Sequence, residues 1–402
     1  MDNALTSEFF IPQLPPPPPP PLYPLQKKVV SIKQMVNDAY IQQASDIHIR
    51  VGELPRFRLR GQMEVYDLGE VVTPEIFETY LNEILSPAAK QRFVETKELD
   101  TAIVYPGFLR CRVNCFETLT GGAMVLRLIT LHVPSIDNLG LPPILKNIVN
   151  KNQGLILVTG PTGSGKSTTI AAMIRYLNET KQKHIITIED PIEYVHTSQN
   201  CLISQREVGL HTHDFHEALR SVLREDPDVI VVGEMRDRIT VDTALKAAQT
   251  GHLVLGTLHS KDTIGVVNRL LNLYSPDEQT VMRVQIVDSL AAVIAQRLLT
   301  TTDGGRTAAM EILINTPTMQ DYLLKGEDTE AYQLMEISSK EGMKVMNDAL
   351  CELMLSGQIS IEDAFNNTPD IGDLRRRSRN EGIDPSHSTG RNFFTSYSYS
   401  AR

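Results

Sequence analysis

Cysteine is scarce in this sequence. Its four residues, Cys111, Cys115, Cys201 and Cys351, are scattered and include no C-x-x-C pair. That argues against a disulfide framework or a cysteine zinc module, and makes a reducing cytosol the default setting. Long apolar runs are missing too: none approaches the roughly 20 residues of a membrane-spanning helix. The first residues lack the basic start and apolar core of a secretory leader, so any membrane contact is expected to be peripheral. Positive charge is also in deficit. Lys and Arg number 39 against 49 Asp and Glu, a net charge of −10, which argues against nucleic acid as the main ligand.

What remains is ordinary for a globular protein: 402 residues, 41% hydrophobic and 22% charged, enough for two domains plus tails. Residues 1–28 form a Pro-rich head in which Pro15 to Pro21 run without interruption; such a run reads as a stiff, disordered polyproline II spacer. A mixed α+β domain follows over 29–130. Ile32, Met35, Val36, Ala39 and Tyr40 share one helical face, and Ile47, Ile49 and Val51 alternate as in a half-buried strand. Phe57 and Leu59 suggest a hairpin partner. Thr73-Pro74 supplies an N-cap and first-turn pair for a helix over 75–85. Two more strands are predicted over 108–116 and 123–129.

Residues 131–150 carry Pro134, Pro142 and Pro143 and read as a linker. Over 151–368 the pattern becomes strand–helix alternation. Continuous apolar strands at 155–159, 185–188, 229–232 and 253–257, with helices between them, predict a parallel sheet buried on both faces. A long helix is expected over 277–298, with Val281, Val284, Val287, Leu290 and Ile294 on one face, and mostly helix from there to Phe365. Residues 369–402, with Arg375, Arg376, Arg377 and Arg379, read as a disordered basic and Ser-rich tail.

The strand at 155–159 runs into Gly160-Pro161-Thr162-Gly163-Ser164-Gly165-Lys166-Ser167, and Ile170, Met173, Ile174 and Leu177 follow at helical spacing. A glycine loop between strand and helix is the context of a P-loop, whose backbone N–H groups and helix N-terminus attract phosphate. Lys166 would reach the β- and γ-phosphates of ATP, and the Ser167 hydroxyl would hold Mg²⁺. Asp228–Glu234 places an acidic residue, Glu234, after four β-branched residues, where a carboxylate organises Mg²⁺. Glu189, Asp190 and Glu193 follow another strand at the same sheet edge; either glutamate is placed to orient or deprotonate water. His259 falls past the end of the 253–257 strand, placed to sense a γ-phosphate or touch a neighbouring subunit. Strand arginines Arg110, Arg112 and Arg127 read equally well as charge donors to phosphate or as salt-bridged residues.

Together these segments resemble the secretion ATPases, and within them the PilT/PilU group of type IV pilus retraction motors. The resemblance is carried by Ala44–His48, Arg110–Phe116, Gly160–Thr169, Thr187–Glu193, Gln205–Val208, Ala218–Ser221, Leu223–Asp228, Gly233–Asp237, Thr250–His252 and Gly256–His259. It implies an α/β architecture: a RecA-like P-loop ATPase domain behind an N-terminal PAS-like domain, assembled as a homo-hexamer. ATP and Mg²⁺ would bind along Gly160 to Thr168, with Glu193 as general base and Glu234 as the Walker B carboxylate. His252 and His259 would form a histidine box, and Arg112 and Arg127 would contact phosphate. The implied partners are an inner-membrane pilus platform protein and a second pilus ATPase, at pilus bases on the cytoplasmic face of the inner membrane. The resemblance weakens at Thr318–Lys325, where retraction motors usually carry Ala-Ile-Arg-Asn-Leu-Ile-Arg-Glu. A regulatory subunit with little motor output is therefore the second reading, and a nucleic-acid translocase, disfavoured by charge, the third.

Overall fold

The structure is a computed structural model that describes residues 30–59, 61–68, 70–105, 108–130 and 133–382. The Pro-rich head and residues 383–402 lie outside the described residues. The chain forms two compact units. One takes in the described residues up to Asp100 together with Val113–Arg127; the other has Thr101–Arg112 and the described residues from Leu128 onward.

The N-terminal elements are α1 (Ile32–Ile41), β1 (Asp46–Arg50), β2 (Arg56–Leu59), β3 (Gln62–Val65), α2 (Pro74–Ile84), α3 (Pro87–Thr96), β4 (Glu98–Tyr105), β5 (Leu109–Thr118) and β6 (Gly121–Thr130). The Ser31 hydroxyl accepts from Gln34 N to cap α1, which buries Ile32, Met35, Val36 and Ala39 and leaves Tyr40 exposed. As expected, Thr73 caps α2 and Pro74 takes its first turn, where a missing N–H costs nothing. The strands form one sheet in the order β3-β2-β1-β6-β5-β4. Ile47 of β1 lies opposite both Phe57 and Leu126 and is wholly buried with them. Helix α3 and strand β4 add to what the apolar pattern predicts.

The remaining elements are α4 (Ile144–Val149), β7 (Gly154–Thr159), α5 (Lys166–Thr180), β8 (His184–Glu189), β9 (Leu202–Glu207), α6 (Phe215–Val222), β10 (Val229–Val232), α7 (Arg238–Gln249), β11 (Leu253–Leu258), α8 (Gly265–Leu271), α9 (Gln279–Ser289), β12 (Leu290–Thr300), β13 (Arg306–Ile314), α10 (Pro317–Lys325), α11 (Asp328–Ile337), α12 (Met346–Leu355), α13 (Ile361–Asn367) and α14 (Ile371–Asn380). Strand order is β13-β12-β7-β11-β10-β8-β9, parallel except for the β12–β13 pair. The continuous apolar strands are buried on both faces. Leu155 and Leu157 of β7 join one core cluster while Ile156 and Val158 join the other, and each fully buried aliphatic side chain contributes roughly 2 kcal/mol.

Three expectations need correction. The segment 277–298 is not one helix: α9 ends at Ser289 and Leu290 begins a strand. Val281 and Val284 are exposed, whereas Leu290–Ala295 are buried on both faces of the sheet. A short apolar run rich in alanine cannot be told from a buried helix by periodicity alone. Strand β13 likewise falls in a stretch read as helical. The 131–150 stretch is more than a linker, because Ile136, Leu141, Leu145, Ile148 and Val149 pack in the same cluster as Ile156 and Val158.

The third correction concerns residues 369–402, whose start is ordered. Helix α14 is capped by Asp370, buries Leu374 and Ser378, and packs Leu374 with Leu350 and Met354 of α12. Arg377 is no tail cation. Its guanidinium reaches Asp373 at 2.7 Å and Asp348 at 2.5 Å, and also pairs with Glu336 of α11. Removing the cation leaves three carboxylates facing one another in a mostly buried setting. Arg377→Met is expected to destabilise the second unit by about 2–3 kcal/mol; an unchanged urea midpoint would show that α14 is not part of the cooperative fold.

Candidate active site

In-register parallel pairing brings the carboxyl ends of β7, β8, β10 and β11 to one sheet edge, where open α/β sheets bind ligands. The loop after β7 turns into α5 at Gly165–Lys166, with Gly165 in the left-handed region at φ 86°. Lys166 bends back over the loop, donating from Nζ to Gly160 O and Pro161 O at 3.0 Å each. Desolvation lowers the lysine pKa, opposed by the charges of Glu234 and Glu193. The first turn of α5 presents backbone N–H groups with no intrahelical acceptor, a ready anion site.

A cavity of about 500 Å³ opens above this loop. Its lining includes Thr162, Gly163, Gly165, Lys166, Ser167, Thr168, Glu193, Glu234 and His259, so most of the expected site residues meet at one place. Gly160, Pro161 and Ser164 line the adjoining hollow, again with His259. The three strand-end carboxylates occupy different environments. Glu234 binds Arg236 at 2.6 Å and His259 Nε2 at 3.2 Å; the hydrogen bond from Arg236 leads in holding its carboxyl below the usual range. Glu189 takes the Thr187 hydroxyl at 2.6 Å and the Gln205 amide at 3.1 Å, and burial pushes its pKa up. Glu193 is exposed, its backbone N–H donating to Glu189 Oε2 at 3.4 Å. Gly233 lets β8 and β10 converge, since a Cβ there would lie 3.1 Å from Ile188 O.

A hard cation needs oxygen ligands and dehydrates reluctantly, so it is commonly held by one or two protein oxygens plus substrate phosphates. The Ser167 hydroxyl and Glu234 carboxylate, both lining this cavity, fit that pattern.

Other expected residues lie elsewhere. His252 sits at the opposite end of β11, its Nδ1 3.0 Å from Ala247 O, where it closes the turn after α7. His259 alone reaches the loop, its Nδ1 3.2 Å from Gly160 O. Arg127 is taken up by the buried carboxylate of Asp46 at 2.8 Å, and Arg110 by Glu207 at 2.5 Å. Arg112, on β5, is not among the residues lining the cavity. The sequence reading missed Arg236, Tyr194, His196, Leu298 and Arg306, all of which line it. It also missed Gln296, whose strand it read as helix; a lone glutamine inside an apolar run was the available signal.

A strand–glycine loop–helix at the carboxyl edge of a parallel sheet, with an acidic strand end beside it, defines a P-loop ATPase. Comparison narrows this: the family described as "Type II/IV secretion system protein" matches residues 24–311, and the chain belongs to that family. The chain is 42% identical over 323 residues to the type IV pilus retraction ATPase PilT of Pseudomonas aeruginosa, covering 80% of this chain and 94% of that protein. It is 39% identical over 332 residues to the type IV pilus ATPase PilU of the same organism, covering 82% and 87% respectively. A crystal structure of the pilus retraction motor PilT with bound ADP superposes with a TM-score of 0.81 at 40% identity, over 86% of this chain and 99% of that one.

Burial in the cavity wall pushes the His196 imidazole down to about 4. Between the unfolded value near 6.5 and this value, the unfolded chain binds a proton that the native state refuses. Stability from this group is complete above that window and is lost as pH falls through it. From about pH 7 to about pH 5, unfolding free energy should fall by about 1–2 kcal/mol more in wild type than in His196→Gln. Parallel urea titrations measure this, and equal losses would contradict a buried neutral imidazole.

Proposed function

We propose that this chain is an ATP-hydrolysing motor that powers type IV pilus retraction and twitching motility. The observation that carries the reading is the 42% identity to a pilus retraction ATPase across nearly all of that protein's length. Lys166, Glu193 and Glu234 around one cavity supply the chemistry to match.

In this reading the loop N–H groups and Lys166 hold the β- and γ-phosphates, and the ammonium offsets charge that develops as the terminal phosphoryl group departs. Glu193 is exposed at the cavity wall, so its carboxylate accepts a proton from the attacking water. Glu189 is left for support, because its oxygens are already engaged by Thr187, Gln205 and the Glu193 backbone. Glu234 and Ser167 would hold Mg²⁺, which would neutralise phosphate charge when bound. His259 spans Glu234 and Gly160 O, and so reports loop position to the end of β10. The working assembly is a homo-hexamer at the cytoplasmic face of the inner membrane, engaging a pilus platform protein and a second pilus ATPase. Arg112 and Arg127 remain proposed phosphate contacts, which for Arg127 requires release from Asp46. No helix among the described residues is long and apolar enough to cross a membrane.

One observation favours an accessory role. In α10, Met319 and Leu323 keep the buried stripe of the segment, but Gln320 replaces the usual arginine and donates to Asp288 at 2.7 Å. Lys166→Ala is expected to abolish hydrolysis. Glu193→Gln should keep nucleotide binding and lose roughly 10²–10⁴-fold in turnover; full turnover would remove Glu193 as the base. In cells, surplus pili without surface movement in both the deletion and Lys166→Ala strains supports retraction. Unchanged piliation would favour the accessory reading.

A further inference from the structure

Gln296 lies in the middle of β12, 3% exposed, with its amide against the underside of the glycine loop. Its Nε2 donates to Ser164 O at 2.6 Å, and its Oε1 accepts from the Thr169 hydroxyl at 2.7 Å. Chemistry fixes the amide's orientation, because a backbone carbonyl can only accept. The same residue accounts for two loop glycines. A Cβ on Gly160 would lie 2.3 Å from Gln296 O, and one on Gly165 would lie 2.8 Å from Gln296 Nε2. The Ser164 hydroxyl is buried without a hydrogen-bond partner and gives the loop no support of its own.

The carbonyl of Ser164 and the N–H of Gly165 belong to one planar trans peptide, so they point in opposite directions. Anchoring the carbonyl down onto Gln296 turns the Gly165 N–H the other way, and Gly165 lines the cavity. The Thr169 contact fixes the first turn of α5 to the same side chain. We propose that Gln296 is a positioning residue for nucleotide binding: it sets the Ser164–Gly165 peptide so that its N–H faces phosphate. This rests on reading Gly160–Ser167 as the phosphate site. Because phosphate is held in ground and transition states alike, loss of the clamp should raise KM far more than it lowers kcat.

The test uses the full chain, with mant-ADP titration and steady-state ATP hydrolysis, on wild type, Gln296→Leu, Gln296→Glu and Lys166→Ala. Gln296→Leu leaves a buried carbonyl without its donor and should weaken mant-ADP binding roughly ten-fold. KM for ATP should rise by a similar factor, with kcat within about three-fold of wild type. Gln296→Glu adds a pH readout. A protonated carboxyl donates to Ser164 O as the amide does, whereas a carboxylate cannot donate and repels phosphate. Its mant-ADP affinity relative to wild type should therefore be near normal at about pH 6 and much weaker at about pH 8.

A packing role alone would leave that ratio independent of pH, and this result would overturn the proposal. So would wild-type affinity in both Gln296 variants, or reduced kcat at unchanged KM. Should Gln296→Leu fail to fold, judged by circular dichroism, the isosteric Gln296→Glu variant decides. A defective Lys166→Ala beside normal Gln296 variants refutes only the clamp. Wild-type binding and turnover in Lys166→Ala refute the phosphate site and the clamp with it.

Discussion

A loop that offers its N–H groups to an anion must still satisfy its own carbonyls, and much of the second unit follows from that constraint. Gly160 O and Pro161 O receive the Lys166 ammonium, Gly160 O also faces His259 Nδ1, and Ser164 O receives the Gln296 amide. Gly165 O is taken by Thr169 N as α5 begins. The donors come from three places: the loop's own helix, the end of β11, and the middle of β12. The loop therefore keeps its form only while the strands on both sides of β7 are in register. That register sets Ala295 opposite Thr159 and Thr257 opposite Val158.

The three carboxylates at the sheet edge show how environment divides one chemical group into separate tasks. Glu234, held by Arg236 and His259, stays charged and suits a cation-organising role. Glu189 is driven toward its neutral form by burial, yet its oxygens are engaged by a hydroxyl and an amide, which makes it a fixed point. Glu193 hangs by its backbone from that fixed point, with its side chain free in solvent. The proposed role of Glu193 as base would need such reach, with its neighbour supplying the rigidity. Gln205 strengthens this arrangement by donating to Tyr194 O as well, at 2.8 Å, while the Tyr194 hydroxyl meets Thr168 Oγ1 at 2.9 Å. The acidic loop is thus tied to α5 on the far side of the cavity.

The parts legible in the sequence were those where local chemistry and pattern agree. A glycine loop between a four-residue apolar run and a helical stripe has few other meanings, and β8, β10 and β11 are apolar enough to leave no alternation to misread. What escaped was set by tertiary placement. Leu290–Ala295 has the composition of a helix and becomes a strand because β7 and β13 lie on either side of it. Arg377 looks like part of a basic tail until Glu336, Asp348 and Asp373 come together around it. Arg110 and Arg127 carry no mark in their spacing to separate a phosphate ligand from an ion-paired strand residue. Burial of Glu207 and Asp46 decides which partner they meet in this conformation.

Strand β12 touches both the phosphate loop and the C-terminal helices. Neighbouring side chains on one strand point to opposite faces. Gln296 holds the loop, Arg297 donates to the carbonyl of Asn367 at the end of α13, and Leu299 is buried in the cluster formed with α12, α13 and α14. Buried Glu311 on the paired strand β13 accepts from Thr263 N at 2.8 Å, just beyond His259, and from Met346 N at 3.3 Å at the start of α12. Two adjacent strands therefore join the nucleotide-facing edge to the same helical layer, one through the loop and one through the segment after β11. A close-packed sheet does not absorb a shift at one end by local compression. The polar contacts that tie the loop and the segment after β11 to α12–α14 are thus already made across these two strands.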